Sequence, residues 1–160
     1  MDLKRIARHL FFPRRFPKEA MPSIEQAIAG SEATHRGEIR FAAESALDGP
    51  ALLAGESARA RAIEVFSDLG VWDTEENNGV LIYLLLADHD VEIVADRGIN
   101  AKVAHAEWEH ICRGMERALA RGAYGPAIVE GIQEISALLA RHFPPRPGGR
   151  NELPDRPIRL

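Results

Sequence analysis

The sequence predicts an α/β fold: an αβα sandwich in which a small mixed sheet, a parallel βαβ crossover followed by a β-hairpin, is flanked by helices. Three observations carry that prediction. Residues 80–87, VLIYLLLA, are apolar on both faces, as a central strand covered on two sides must be. Segments 37–44 and 91–96 alternate apolar and polar residues, the period of a strand with one wet face. Between and after them, apolar residues recur every three or four positions, the helical period.

In chain order, residues 1–18 form a basic arm with Lys4, Arg5, Arg8, Arg14, Arg15 and Lys18 against a single acid, Asp2. Leu3, Ile6, Leu10 and Phe11 fall at near-helical spacing within it. Such a segment either docks on its own domain or makes a peripheral contact with an anionic membrane or a partner. Ser23, with Gln26 three positions on, matches a capping box and predicts a helix over 23–35. The next strand has Ile39, Phe41 and Ala43 on one face and Glu38, Arg40 and Glu44 on the other, wet one.

Residues 57–69 predict a helix with Ala62, Ile63, Phe66 and Leu69 as its apolar stripe. That helix joins two strands that must therefore be parallel, whereas the short Asp88, His89, Asp90 link can only reverse the chain into an antiparallel hairpin. Two helices complete the domain over 19–142. One carries Trp108, Ile111, Cys112, Met115 and Leu119 and is closed by Gly122; the other carries Ile128, Ile132, Ile135 and Leu139 and is opened by Pro126. Residues 143–160 hold five prolines and an adjacent glycine pair, which predicts a flexible tail.

The composition narrows the function classes. The 160 residues suit one domain, since a fold of this size removes about 70% of its unfolded surface from water. A net charge of -4 argues against general nucleic-acid binding. The longest apolar run, eight residues, is far short of the roughly 20 that span a bilayer. A single cysteine, Cys112, and the lack of a continuous apolar leader predict a reducing, cytoplasmic setting. Phosphate-loop, dinucleotide-fingerprint, nucleophile-elbow and Cys-x-x-Cys patterns are all missing. His105 and His110 lie five apart, on different sides of a helix.

The candidate site lies where the hairpin and crossover return the chain to one edge. A hairpin centred near His89 sets Ala95 against Tyr83, Asp96 against Ile82 and Gly98 against Val80. Asp96 and Arg97 then neighbour Asn77 and Asn78 at the start of the central strand. The crossover helix delivers Trp72, Asp73, Thr74, Glu75 and Glu76 to the same edge. Asp73, Glu75, Glu76, Asn78 and Asp96 are the candidate ligands of a hard divalent cation, Ca²⁺ or Mg²⁺; Trp72, Asn77, Arg97 and Gly98 are candidate binding residues. The same residues also suit a loop that only feeds a buried strand. Asp73, Glu75 and Asn77 have a calcium-loop spacing, but Asn78 stands where that loop needs glycine and Leu84 where it needs glutamate, so this is no EF-hand.

The succession of a helix containing Phe66, Trp72 before an acidic loop, Asn77-Asn78-Gly79 opening the strand VLIYLLLAD, and then VEIVADRGI resembles the TPM domain family over residues 20–142. The resemblance implies an αβα sandwich, accessory roles in membrane-protein maintenance, calcium binding in some members and an acid phosphatase activity attributed to chloroplast members. By match to the family's motif it carries over Trp72, Asn78, Gly79, Asp96 and Gly98. It leaves two readings: a cation-binding accessory module that presents a surface to a protein partner, and a metal-dependent phosphatase acting on phosphomonoesters.

Overall fold

The structure is a computed structural model and describes residues 2–160. Its elements run α1 (Leu3–Leu10), α2 (Met21–Glu32), β1 (Glu38–Glu44), α3 (Gly49–Leu53), α4 (Ala58–Asp68), β2 (Gly79–Leu85), β3 (Asp90–Ala95), α5 (Arg97–Asn100), α6 (His105–Ala120), α7 (Tyr124–His142) and β4 (Ile158–Arg159). The sheet order is β3-β2-β1-β4. Strand β1 pairs in parallel with β2 and β4, and β2 pairs antiparallel with β3, so the mixed sheet is as the sequence predicts.

Period-two alternation sorts the strands onto two cores. Ile39, Phe41, Val80, Ile82, Ile93 and Ala95 face α2, α6 and α7, joined by Ile28, Ile111, Ile128, Ile132 and Leu139. Ala42, Leu81, Tyr83, Leu85 and Val94 face α4, joined by Ala62, Val65 and Phe66. The sandwich therefore has three layers.

Several boundaries and faces differ from expectation. Helix α2 starts at Met21, with Pro22 in its first turn, and the Ser23 hydroxyl donates to the Ala20 carbonyl at 2.9 Å rather than capping the helix. Proline has no N–H to lose and fits a first turn, so the helix begins before the serine. In α4, capped by Ser57, Ile63 faces solvent and Val65 takes the core position. The hairpin register is displaced: Ala95 pairs with Val80 and Glu92 with Tyr83. A 3-10 turn over Leu86–Asp88, with His89 in the left-handed region at φ 54°, moves the reversal toward the amino end.

The largest departure concerns the tail. Ile158–Arg159 adds a fourth strand beside Ala42 and Ala43, Leu153 is buried, and residues 152–156 lie over the polar face of β1. Glu38 and Arg40, expected in water, are accordingly only 4% and 6% exposed. At the other end, α1 docks through its basic residues: Arg5 and Arg8 both ion-pair with Asp88 at the hairpin turn. Among the described residues no helix is long and apolar enough to cross a membrane.

Candidate functional site

The amino end of β2 is fixed by close backbone packing. A Cβ on Gly79 would sit 2.0 Å from the Val71 carbonyl oxygen, so only glycine lets the crossover loop lie on the strand. Gly79→Ala is expected to cost about 1–3 kcal/mol in chemical denaturation, the usual range for overpacking. Gly30→Ala, where α2 has open space, is the control and should stabilise by about 0.5–1 kcal/mol.

The register places Asp96 directly past the pairing of Ala95 with Val80, and the Asp96 N–H donates to the Gly79 carbonyl at 2.9 Å. Asn77 holds φ 52°, a left-handed conformation that asparagine tolerates. Its carbonyl accepts from the Gly98 N–H at 3.0 Å, and its side-chain oxygen accepts from Arg97 Nε at 3.2 Å. A Cβ on Gly98 would meet the Asn77 and Glu76 carbonyls at 2.6 and 2.7 Å, so glycine is required there as well. Asn78 is buried; its main-chain N–H donates to Thr74 Oγ1 and its Nδ2 to the Arg36 carbonyl at 2.6 Å. Asp96 Oδ1 caps α5 by accepting from the Arg97 N–H at 2.7 Å.

Two oxygens in this neighbourhood are sequestered without a partner: Asn78 Oδ1 and Asp96 Oδ2. Buried polar atoms are normally hydrogen-bonded, so each of these acceptors stands open to a donor or a cation.

The other predicted ligands separate from this core. Asp73 and Glu75 are exposed, and the Glu75 N–H donates to the Glu152 carboxylate at 2.9 Å. Glu76 ion-pairs with Arg36 at 2.7 Å and Arg146 at 2.9 Å. Trp72 is 55% exposed, its indole N–H donating to the Ser67 carbonyl at 3.3 Å. Among the described residues no three His, Cys, Asp or Glu side chains gather as a metal cluster. Asn77, Asn78, Asp96, Arg97 and Gly98 are brought together; Asp73, Glu75 and Trp72 are not joined to them by any hydrogen bond.

Sequence reasoning missed a polar cluster under the carboxyl-terminal segment. Glu38 accepts from the Glu152 and Leu153 N–H groups at 3.2 and 3.3 Å, and the Arg40 guanidinium donates to the Pro154 and Arg156 carbonyls. Burial raises the Glu38 pKa above the usual carboxylate range. Beside it, Glu32 accepts from the Ile39 N–H at 3.0 Å, and burial, reinforced by the Glu38 and Asp155 charges, pushes its pKa up to about 9. His35 is fully enclosed and burial lowers it to about 4, keeping it neutral. No local signal could have found this cluster, because the backbone groups that bind Glu38 and Arg40 lie 114–116 residues away.

Fold and site together define a three-layer α/β domain whose loop and strand ends meet in a compact polar edge. The TPM domain matches residues 16–138, and the chain belongs to that family, as the motif from Trp72 to Ile99 implies. No curated protein matches it. Among solved structures, the chain is similar to the BA42 protein from the psychrophilic bacterium Bizionia argentinensis, at 28% identity and a TM-score of 0.80 over 92% of this chain and 97% of that one. It also shares its fold with the amino-terminal domain of a P. gingivalis protein, at 16% identity and a TM-score of 0.63 over 79% and 78% of the two chains. The amino-terminal domain of cg2496 from Corynebacterium glutamicum is a third, at 13% identity and a TM-score of 0.56 over 77% and 73%.

Proposed function

We propose that this chain is a divalent-cation-binding accessory module, taking Ca²⁺ or Mg²⁺ at the edge where β2 begins and β3 ends. The observation that carries the reading is the enclosed, unpartnered Oδ2 of Asp96 where β3 ends, with Asn78 Oδ1 likewise unpartnered just before β2 begins. Carboxylate and amide oxygens are the donors that hard cations select. Glu76 and Asn77 carbonyls crowd the same turn through Gly98 and extend the oxygen set. Glu76 is held by two arginines, so its carboxylate braces the loop rather than meeting the ion. A site with one free carboxylate binds weakly, which suits ordering of the loop over 73–79 and presentation of a surface to a protein partner. The membrane-maintenance role and the cytoplasmic setting belong to the same proposal. Lys4, Arg14 and Arg15 supply its peripheral contact with anionic membrane, since Arg5 and Arg8 are engaged by Asp88.

A thermal-shift titration with CaCl₂ and MgCl₂ tests the site. At 100 times the dissociation constant a native-state ligand adds about 2.7 kcal/mol. The shift should vanish in Asp96→Asn, which keeps an oxygen to cap α5, and survive in Asp73→Ala. No shift with either ion, or a shift unchanged in Asp96→Asn, overturns the reading.

A further inference from the structure

The opposite pole of the sheet holds a cavity of about 360 Å³ at the carboxyl ends of β1 and β4. Ligands of open α/β sheets characteristically enter the crevice beyond the carboxyl ends of parallel strands. The extended segment between α1 and α2 forms one wall with Phe12, Arg14, Arg15 and Phe16; Ser45 and Arg159 form the other. None of the lining side chains is acidic. Among the described residues Arg14, Arg15 and Arg159 have no carboxylate within salt-bridge distance, whereas six of the chain's arginines are paired by ion bridges to Glu44, Glu76, Asp88 or Glu92. Three arginines thus line one hollow whose lining side chains supply no counter-charge.

The walls are also fixed in place. Phe16 is buried against Phe41 at 5.2 Å and Tyr124 at 5.9 Å between ring centroids. Arg159 donates to the Phe16 carbonyl at 3.3 Å, and the Leu160 N–H bonds to the Ala43 carbonyl at 2.8 Å. The segment that carries Arg14 and Arg15 is therefore tied to the strand that carries Arg159, and the cavity exists before any ligand arrives. Planar forks of donors match carboxylate and phosphate-type oxygens, while Phe12 offers an apolar surface.

We propose that this cavity is a second binding site, for a small organic anion with a carboxylate- or phosphate-type head and a flat apolar body. It is separate from the cation edge, which lies at the other end of the sheet, where β2 begins and β3 ends.

Calorimetric and NMR titrations of the full chain with benzoate and phenylphosphonate test it, with benzamide as the neutral analogue and phosphatidic acid vesicles as the lipid arm. Saturable one-to-one binding of at least one soluble anion is expected, with benzamide inert. Arg159→Gln, and separately the double variant Arg14→Gln with Arg15→Gln, should each weaken it about tenfold or more, the loss of a charge-assisted hydrogen bond. Arg14 and Arg15 are exposed, so the double variant should keep the wild-type Tm. Asp96→Asn should bind the anions unchanged, which separates failure here from failure of the cation site. Absence of soluble-anion binding, equal affinity in the double variant, or binding to vesicles alone overturns the proposal.

Discussion

Asp88→Ala is expected to lower the unfolding free energy by about 3 kcal/mol, the low end for removing one partner from a buried ion network. For a chain of this size that is a fall of roughly 10 °C in Tm. One carboxylate serves three groups of α1: Arg5 at 2.8 Å, Arg8, and His9 Nε2 at 2.9 Å. The His9 ring is wholly enclosed, and its Nδ1 accepts from the Leu47 N–H at 3.0 Å. The ring proton therefore sits on Nε2 and donates to Asp88. Alanine leaves that donor buried without a partner, at a cost of about 1–3 kcal/mol by itself, and leaves two guanidinium groups uncompensated. Because Arg8 is half exposed, its share is small and the total stays at the low end.

The pH dependence follows from the same network. Burial pushes the Asp88 carboxyl up, but the hydrogen bonds from Arg5 and His9, with the Arg5 charge, prevail and hold it down at about 2. A depressed carboxylate contributes stability that is present above its ordinary value near 3.8 and is lost as pH falls toward 2. The wild-type advantage over Asp88→Ala should therefore shrink in acid. Limited trypsinolysis gives the second readout: cleavage at Lys4, Arg5 or Arg8 should accelerate in the variant. Equal Tm and equal digestion would show that α1 holds its place without Asp88.

What the sequence disclosed depended on how local the determining contacts are. Residues 80–87 announce a central strand because eight consecutive apolar side chains need cover on both faces. The βαβ and hairpin connectivity follows from linker lengths alone. Register needs finer information: a 3-10 turn and a left-handed His89 displaced the pairing, which brought Asp96 to Gly79 rather than Ile82. That displacement tightens the edge around Asn78 and leaves Asp73 and Glu75 outside it. The carboxyl-terminal strand was illegible, since two residues directly after Pro157 carry no period. Without the cover it supplies, alternating Glu38 and Arg40 could only read as a wet face.

That hidden cluster predicts an inverted response to alkali, and Glu32→Gln isolates it. The Glu32 carboxyl lies between the Ile39 N–H and the acids Glu38 and Asp155, under the segment that carries Asp155. Burial raises its pKa from 4.5 to about 9, with the two neighbouring charges adding to the shift. Between those values the folded chain keeps a proton that the unfolded chain has released. Stability then falls with rising pH, by up to about 1.4 kcal/mol per pH unit, and the loss ends once the folded group also ionises near 9. Glutamine keeps an oxygen for the Ile39 N–H and presents a permanent N–H toward Asp155, so it mimics the protonated acid at every pH. Wild type and Glu32→Gln should be similar near pH 4.5, and the variant should gain progressively through pH 8 in parallel urea titrations. The half-buried carboxyl is partly screened by water, so the measured slope should fall below the full one-proton value. A difference between the two proteins that stays flat from pH 5 to pH 8 would mean that Glu32 ionises normally and that the tail rests on β1 without a shared proton.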